Sequence, residues 1–161
     1  MKLNKKGFSL MELLIVVIII TGFAAFVYPS FVSSLEHSRA SEAVNMLGTI
    51  QALQQKNFVT YESYALKFQD INDFTPTIKG FNPDTTFFYS EYFKYELGGT
   101  GVNKVSATRV DKNHNTLDKG YSFEAKYAED FIRCNFSNDN GERVCASLTD
   151  KNKSGSMYPI Y

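Results

Sequence analysis

Apolar and polar positions along the chain fall into stretches with different periods, and each period predicts a different element. From Phe8 to Val32 the run is apolar, with Glu12 as its only charged residue, and no charged side chain occurs between Leu13 and Tyr28. About 20 such residues suffice for a helix to cross a bilayer, so the segment is predicted to span. Beyond Pro29 the pattern turns amphipathic. Leu35, Ala40, Ala43, Val44, Leu47, Ile50 and Gln51 gather near one helical face, while Glu36, Arg39, Glu42, Asn45 and Gln55 surround it. Counted from Phe8 to about Lys56, the two halves make a helix of roughly 70 Å at 1.5 Å per residue. Gly22 lowers helix propensity and Pro29 removes a backbone donor, so the helix is weak between them, and a kink in an isolated subunit or a helix break is expected there.

From residue 57 to 86 the periodicity fades among Asp70, Asn72, Asp73, Pro76, Gly80, Asn82, Pro83 and Asp84, which predicts a connecting loop with short helical turns near Tyr64 to Phe68. Its length marks it as a place to look for binding or interface surface. Strands are expected at Phe87–Leu97, Val102–Val110, the strictly alternating Tyr121–Ala128, Phe131–Phe136 and Arg143–Leu148, the last two separated by a turn at Ser137–Gly141. The expected fold is α+β: a long N-terminal helix, half transmembrane and half amphipathic, packed on a C-terminal antiparallel sheet spanning 87–148.

Composition narrows the class. The 161 residues suit one ordinary domain, and 14 Phe and 10 Tyr with 21% charged residues exclude a disordered chain. With 17 basic and 17 acidic residues there is no global attraction to nucleic acid or anionic lipid. Charge is nevertheless uneven at the start, where Lys2, Lys5 and Lys6 precede the apolar run without an acid, which predicts a cytoplasmic N-terminus. A secretory signal peptide shares this outline, with Gly22 and Ala24 imitating its cleavage site; the length of the apolar run favours a span. Glu12 is the odd residue. A carboxylate in a membrane segment costs about 2.5–3.5 kcal/mol on insertion scales, and the segment holds no partner for it. Lys5 and Lys6 lie about two turns away and can snorkel to the lipid surface, so the partner is expected on another chain.

The run Lys5-Lys6-Gly7-Phe8-Ser9-Leu10-Met11-Glu12-Leu13-Leu14-Ile15-Val16-Val17 resembles the N-terminus of type IV prepilins and of the related type II secretion pseudopilins, the class III signal peptide. The resemblance is close from Met1 to about Leu35 and rests on layout alone beyond it. It implies a leader of residues 1–7, cut after Gly7 by a prepilin peptidase/methyltransferase that methylates the new amine of Phe8; a transmembrane and assembly helix over 8–34; and a head over 35–161. It also implies a structural subunit rather than an enzyme, drawn from the bacterial inner membrane by an assembly platform into a homo-oligomeric type IV pilus for adhesion, twitching motility or DNA uptake. In assembled filaments of this family the stretch from Gly22 to Pro29 can lose helical order. Glu12 becomes the fifth residue of the cut chain and would meet the terminal amine of a staggered neighbour. That pair offsets the desolvation of both charges and sets register. Two alternatives stand beside the pilus: a pseudopilin in the periplasm, and a minor pilin acting as a DNA- or surface-binding module. Loss of the leader leaves 14 basic residues against 17 acidic, which disfavours nonspecific nucleic-acid binding.

Cys134 and Cys145 lie beyond the predicted span, where oxidation is expected, and they look like the C-terminal disulfide loop of many type IV pilins; two buried free thiols are the alternative. No cofactor or metal is assigned. Asp150 to Gly155 imitates half of a calcium loop but has Tyr161 where the bidentate acid belongs, and Asp111, Asn113, Asn115 and Asp118 form a second oxygen-rich cluster. Asn135-Phe136-Ser137 fits a glycosylation sequon. His37 and His114 have no evident acid or nucleophile nearby in sequence and read as solvated polar residues, and Gly98-Gly99-Thr100-Gly101 reads as a turn.

Overall fold

A computed structural model describes residues 9–78, 81–82, 84–98, 103–149 and 154–160, with the backbone alone at Pro29. The chain divides into two compact units, Met1–Glu36 and His37–Tyr161. One helix, α1 (Leu10–Tyr61), belongs to both. The described part of the first unit is almost wholly this helix, and its apolar side chains from Leu10 to Leu35 are exposed.

In the second unit a meander of six antiparallel strands follows: β1 (Phe87–Tyr89), β2 (Phe93–Leu97), β3 (Lys104–Arg109), β4 (Tyr121–Lys126), β5 (Ile132–Phe136) and β6 (Met157–Ile160), in that spatial order. The short helix α2 (Asp139–Ser147) lies between β5 and β6 in sequence. Alternation fixes the buried face: Phe93, Tyr95 and Leu97 on β2, Val105 and Ala107 on β3, and Phe123 and Ala125 on β4 all point into the core. They share one cluster with Ala40, Ala43, Leu47 and Ile50, whose helical spacing makes a single buried stripe on α1. The expected α+β class, a long N-terminal helix packed on an antiparallel sheet, is thus what the chain forms. Small residues let the helix lie close to the sheet. A Cβ added at Gly48 would already be in van der Waals contact with Ile132 Cδ1, at 3.9 Å.

Amides secure the end of the helix. Gln51 Nε2 donates to the carbonyls of Lys126 and Glu129, and Gln55 Nε2 donates to that of Tyr127. Gln54 is fully buried and pairs with the backbone of Ala65 in both directions, accepting from its N–H at 2.8 Å and donating to its carbonyl at 2.9 Å. Gln54→Leu keeps the volume but leaves that N–H and C=O without partners, and an unsatisfied buried group costs about 1–3 kcal/mol. We expect about 2 kcal/mol of lost stability in urea denaturation, with an unchanged m-value.

Three expectations need correction. Phe87–Leu97 is not one strand. The chain reverses at Ser90–Tyr92, where the Ser90 hydroxyl accepts from Phe93 N–H at 3.2 Å and Ser90 N–H donates to the Phe93 carbonyl at 2.8 Å. Arg143–Leu148 is not a strand either, and Ser137–Gly141 is not a hairpin turn. Asn138 instead caps α2, its Oδ1 accepting from Gly141 N–H at 2.9 Å, while Asp139 and Glu142 place acids in the first turn. The sixth strand, Met157–Ile160, lies beyond the expected limit of the sheet and contains Pro159, which an edge strand tolerates. Helix α1 itself continues through Gly22 and Pro29. A glycine costs about 1 kcal/mol and a proline about 3 kcal/mol in a helix interior, so the stretch between them is the weakest part of the helix.

The segment expected as a connecting loop is partly helical and partly packed into the core. Helix α1 extends five residues into it, to Tyr61, and a 3₁₀ turn forms at Phe68–Asp70, just past the expected helical turns. Phe68, Phe74, Phe81 and Phe88 then pack edge-on and stacked, with centroids 4.8–6.2 Å apart.

Candidate functional site

The N-terminal segment carries the residues that the sequence singles out. Gly7 and Phe8, the expected cleavage and methylation positions, and the lysines before them lie outside the described residues. At the first turn of α1, Ser9 is the cap: its hydroxyl accepts from Met11 N–H at 3.3 Å and its carbonyl from Leu13 N–H at 3.1 Å. Glu12 then falls at the third helical position, where the unpaired N–H groups and the helix dipole favour an acid. The Ser9-x-x-Glu12 spacing is itself a capping-box signature, visible in the sequence. Among the described residues no cation pairs with Glu12.

Behind Glu12 the surface is hydrocarbon. Leu13, Ile18 and Ile20 are each about 60% exposed and Phe26 is 83% exposed, and the most apolar window of α1 has none of its surface buried. By length and composition this helix can cross a membrane. Thr21, the polar residue in the middle, turns its hydroxyl back onto the carbonyls of Val17 and Ile18, so it presents no unpaired donor to lipid. A long N-terminal helix followed by an antiparallel sheet is compatible with a pilin-like architecture. No protein-family model, curated protein or solved structure matches the chain. What the chain does therefore rests on its own residues.

The two cysteines are brought together. Cys134 on β5 and Cys145 on α2 form a buried disulfide with Cα atoms 5.6 Å apart, so neither is a free thiol. His114 is exposed, in keeping with its reading as a solvated residue, whereas His37 is half-buried, and each makes a contact. His37 Nε2 lies 3.1 Å from the Ser147 carbonyl at the end of α2, within reach as a donor, and His114 stacks on Tyr89 with centroids 4.1 Å apart. Neither faces a carboxylate–nucleophile arrangement of the kind that acid–base catalysis needs.

The oxygen-rich loop at Asp111 uses its oxygens internally. One Asp111 carboxylate oxygen accepts from Asn113 and Asn115 N–H, and the other from the Asn115 side-chain amide. The Asn115 side chain first, and these backbone donors with it, hold the carboxyl below the usual aspartate range. Asp118 accepts from Gly120 N–H. The carboxylates thus organise a turn, and among the described residues no group of three His, Cys, Asp or Glu converges as a metal site. Most of the Asp150–Gly155 stretch is outside the described residues, as are Gly99, Thr100 and Gly101 of the glycine-rich run. Asn135 of the sequon sits within β5, paired to both β4 and β6.

Proposed function

We propose that this chain is a prepilin: cut after Gly7, methylated at Phe8, held in the bacterial inner membrane by its N-terminal helix with the leader in the cytoplasm, and polymerised into a type IV pilus. The observation that carries the reading is the first 25 residues of α1, a surface of exposed hydrocarbon interrupted by one acid at the helix start. Lipid satisfies such a surface while the subunit is alone, and identical helices satisfy it after assembly. The acid is costly in lipid and becomes favourable once a neighbour's amine faces it. The protein catalyses nothing in this scheme; a peptidase/methyltransferase, an assembly platform and other pilin subunits are its partners. The disulfide suits an oxidising compartment outside the inner membrane.

Intact-mass and N-terminal analysis of the chain from its own membranes tests the assignment. Loss of seven residues and one methyl group on Phe8 is expected; a chain that retains Met1, or is cut near Ala24, would overturn it.

A further inference from the structure

The end of α1 and the segment after it enclose an open cavity of about 450 Å³. Its wall combines aromatic rings with neutral polar side chains. Tyr61 is 59% exposed, and its hydroxyl accepts from Asn72 Nδ2 at 3.2 Å, which orients the ring. Tyr64 stacks on Phe58 with centroids 4.7 Å apart and is backed by Tyr127 at 4.9 Å. Ser63, and Gln69 and Asp70 of the 3₁₀ turn, complete the lining, and their side chains make no hydrogen bond or ion pair with described residues. Asn57, 5% exposed, donates from Nδ2 to the Asp70 carbonyl at 3.1 Å, while its buried Oδ1 has no donor.

The framework is braced. The Asn57–Asp70 bond ties helix to turn, and the two-way Gln54–Ala65 pair fixes the chain between them. The side chains of Ser63, Gln69 and Asp70 are therefore not needed to hold it. In a larger cavity of about 660 Å³, the hydroxyls of Ser41 and Thr49 are spent on carbonyls of their own helix.

Charge and desolvation select the ligand. The lining has one acid and no base, and the nearby Lys56 and Lys67 are engaged by Asp73 and Asp84, so an anion gains nothing. One carboxylate is too few for a divalent cation. An apolar partner would bury the amides, hydroxyl and carboxylate without partners, at a cost for each. A ring with one CH-rich face and several hydroxyls fits both halves of the wall: the face against tyrosine, the hydroxyls to amide and carboxylate. We propose that this cavity binds a neutral saccharide, with Tyr61 as the stacking platform and Gln69, Asp70 and Ser63 as hydroxyl partners. The proposal does not depend on filament assembly.

Saturation-transfer NMR on the full chain in phosphocholine-detergent micelles, which carry no sugar headgroup, tests it with methyl glucoside, methyl galactoside, methyl mannoside and triacetylchitotriose as probes. Transfer to the ring protons of at least one probe is expected. Tyr61→Ala and Gln69→Ala should each weaken binding at least fivefold, whereas Tyr61→Phe should retain the stacking. Both positions are exposed, so these variants should keep the fold, which amide chemical shifts would check. No transfer from any probe, transfer indifferent to Tyr61→Ala, or tighter binding of sialyllactose than of every neutral probe would overturn the proposal.

Discussion

Replacing Glu12 by Leu is expected to leave the chain in the membrane and to remove it from surface fibres. Insertion should be unharmed or improved, because the substitution deletes a carboxylate that costs about 2.5–3.5 kcal/mol in a membrane segment. Assembly should suffer, because each incoming subunit would then bury a terminal amine with nothing opposite it. Breaking one side of a buried pair costs about 3–5 kcal/mol, and 1.4 kcal/mol is a factor of ten in an equilibrium constant. Subunit addition should therefore weaken by about a hundredfold or more. Immunoblots of sheared surface fractions against membrane fractions would measure this, and normal fibres from Glu12→Leu would remove the carboxylate from the assembly scheme.

The structure adds a necessary control. Glu12 also occupies the third position of a helix capped by Ser9, so a loss of fibres could come from fraying of the first turn. Ser9→Ala separates the two. It should cost the cap about 1 kcal/mol, yet it leaves the carboxylate in place, and fibres should still form. Failure of both variants alike would assign Glu12 a capping role instead. The free chain and the assembled one would use the same acid differently, first against the helix's own N–H groups and then against a neighbour's amine.

How far the sequence could be read follows from what each signal depends on. Helix α1 was legible because a 25-residue hydrocarbon run and a stripe at Ala40, Ala43, Leu47 and Ile50 are local periodic patterns. Strand β4 was legible for the same reason. The reversal at Ser90–Tyr92 was not, since Phe87, Phe88, Tyr89, Tyr92, Phe93 and Tyr95 form an almost continuous aromatic run in which a polar pair looks like strand. Helix α2 failed for a different cause. Its nine residues include Gly141, Val144 and Cys145, which favour other states, and it is held by a cap and a cross-link that no local propensity contains. The cavity beside Tyr61 was legible only as a long loop. Its side chains converge because Asn57 and Gln54 bind backbone groups 11 to 13 residues away.

The cross-link itself is expected to carry the second large effect. In the chain-entropy treatment, closing a loop of this size with the Cys134–Cys145 bond is worth about 3 kcal/mol. Two features of the native state argue that little of this is lost to slack. Gly141 approaches the Gly120 carbonyl so closely that a Cβ there would overlap its oxygen, and Asn138 is wedged against Gly120, which has φ +74°. Helix α2 therefore docks in one position, with its last carbonyls beside His37. The paired substitution Cys134→Ala with Cys145→Ala should lower stability by about 3 kcal/mol, read from urea denaturation of the full chain in micelles. Hydrogen-exchange protection should fall first across Asp139–Ser147, which the bond ties to β5, and much less across β2 and β3, which the bond does not join. A loss below about 1 kcal/mol would mean that the glycine contact and the Asn138 cap alone seat the helix, and that the disulfide protects the folded chain without stabilising it.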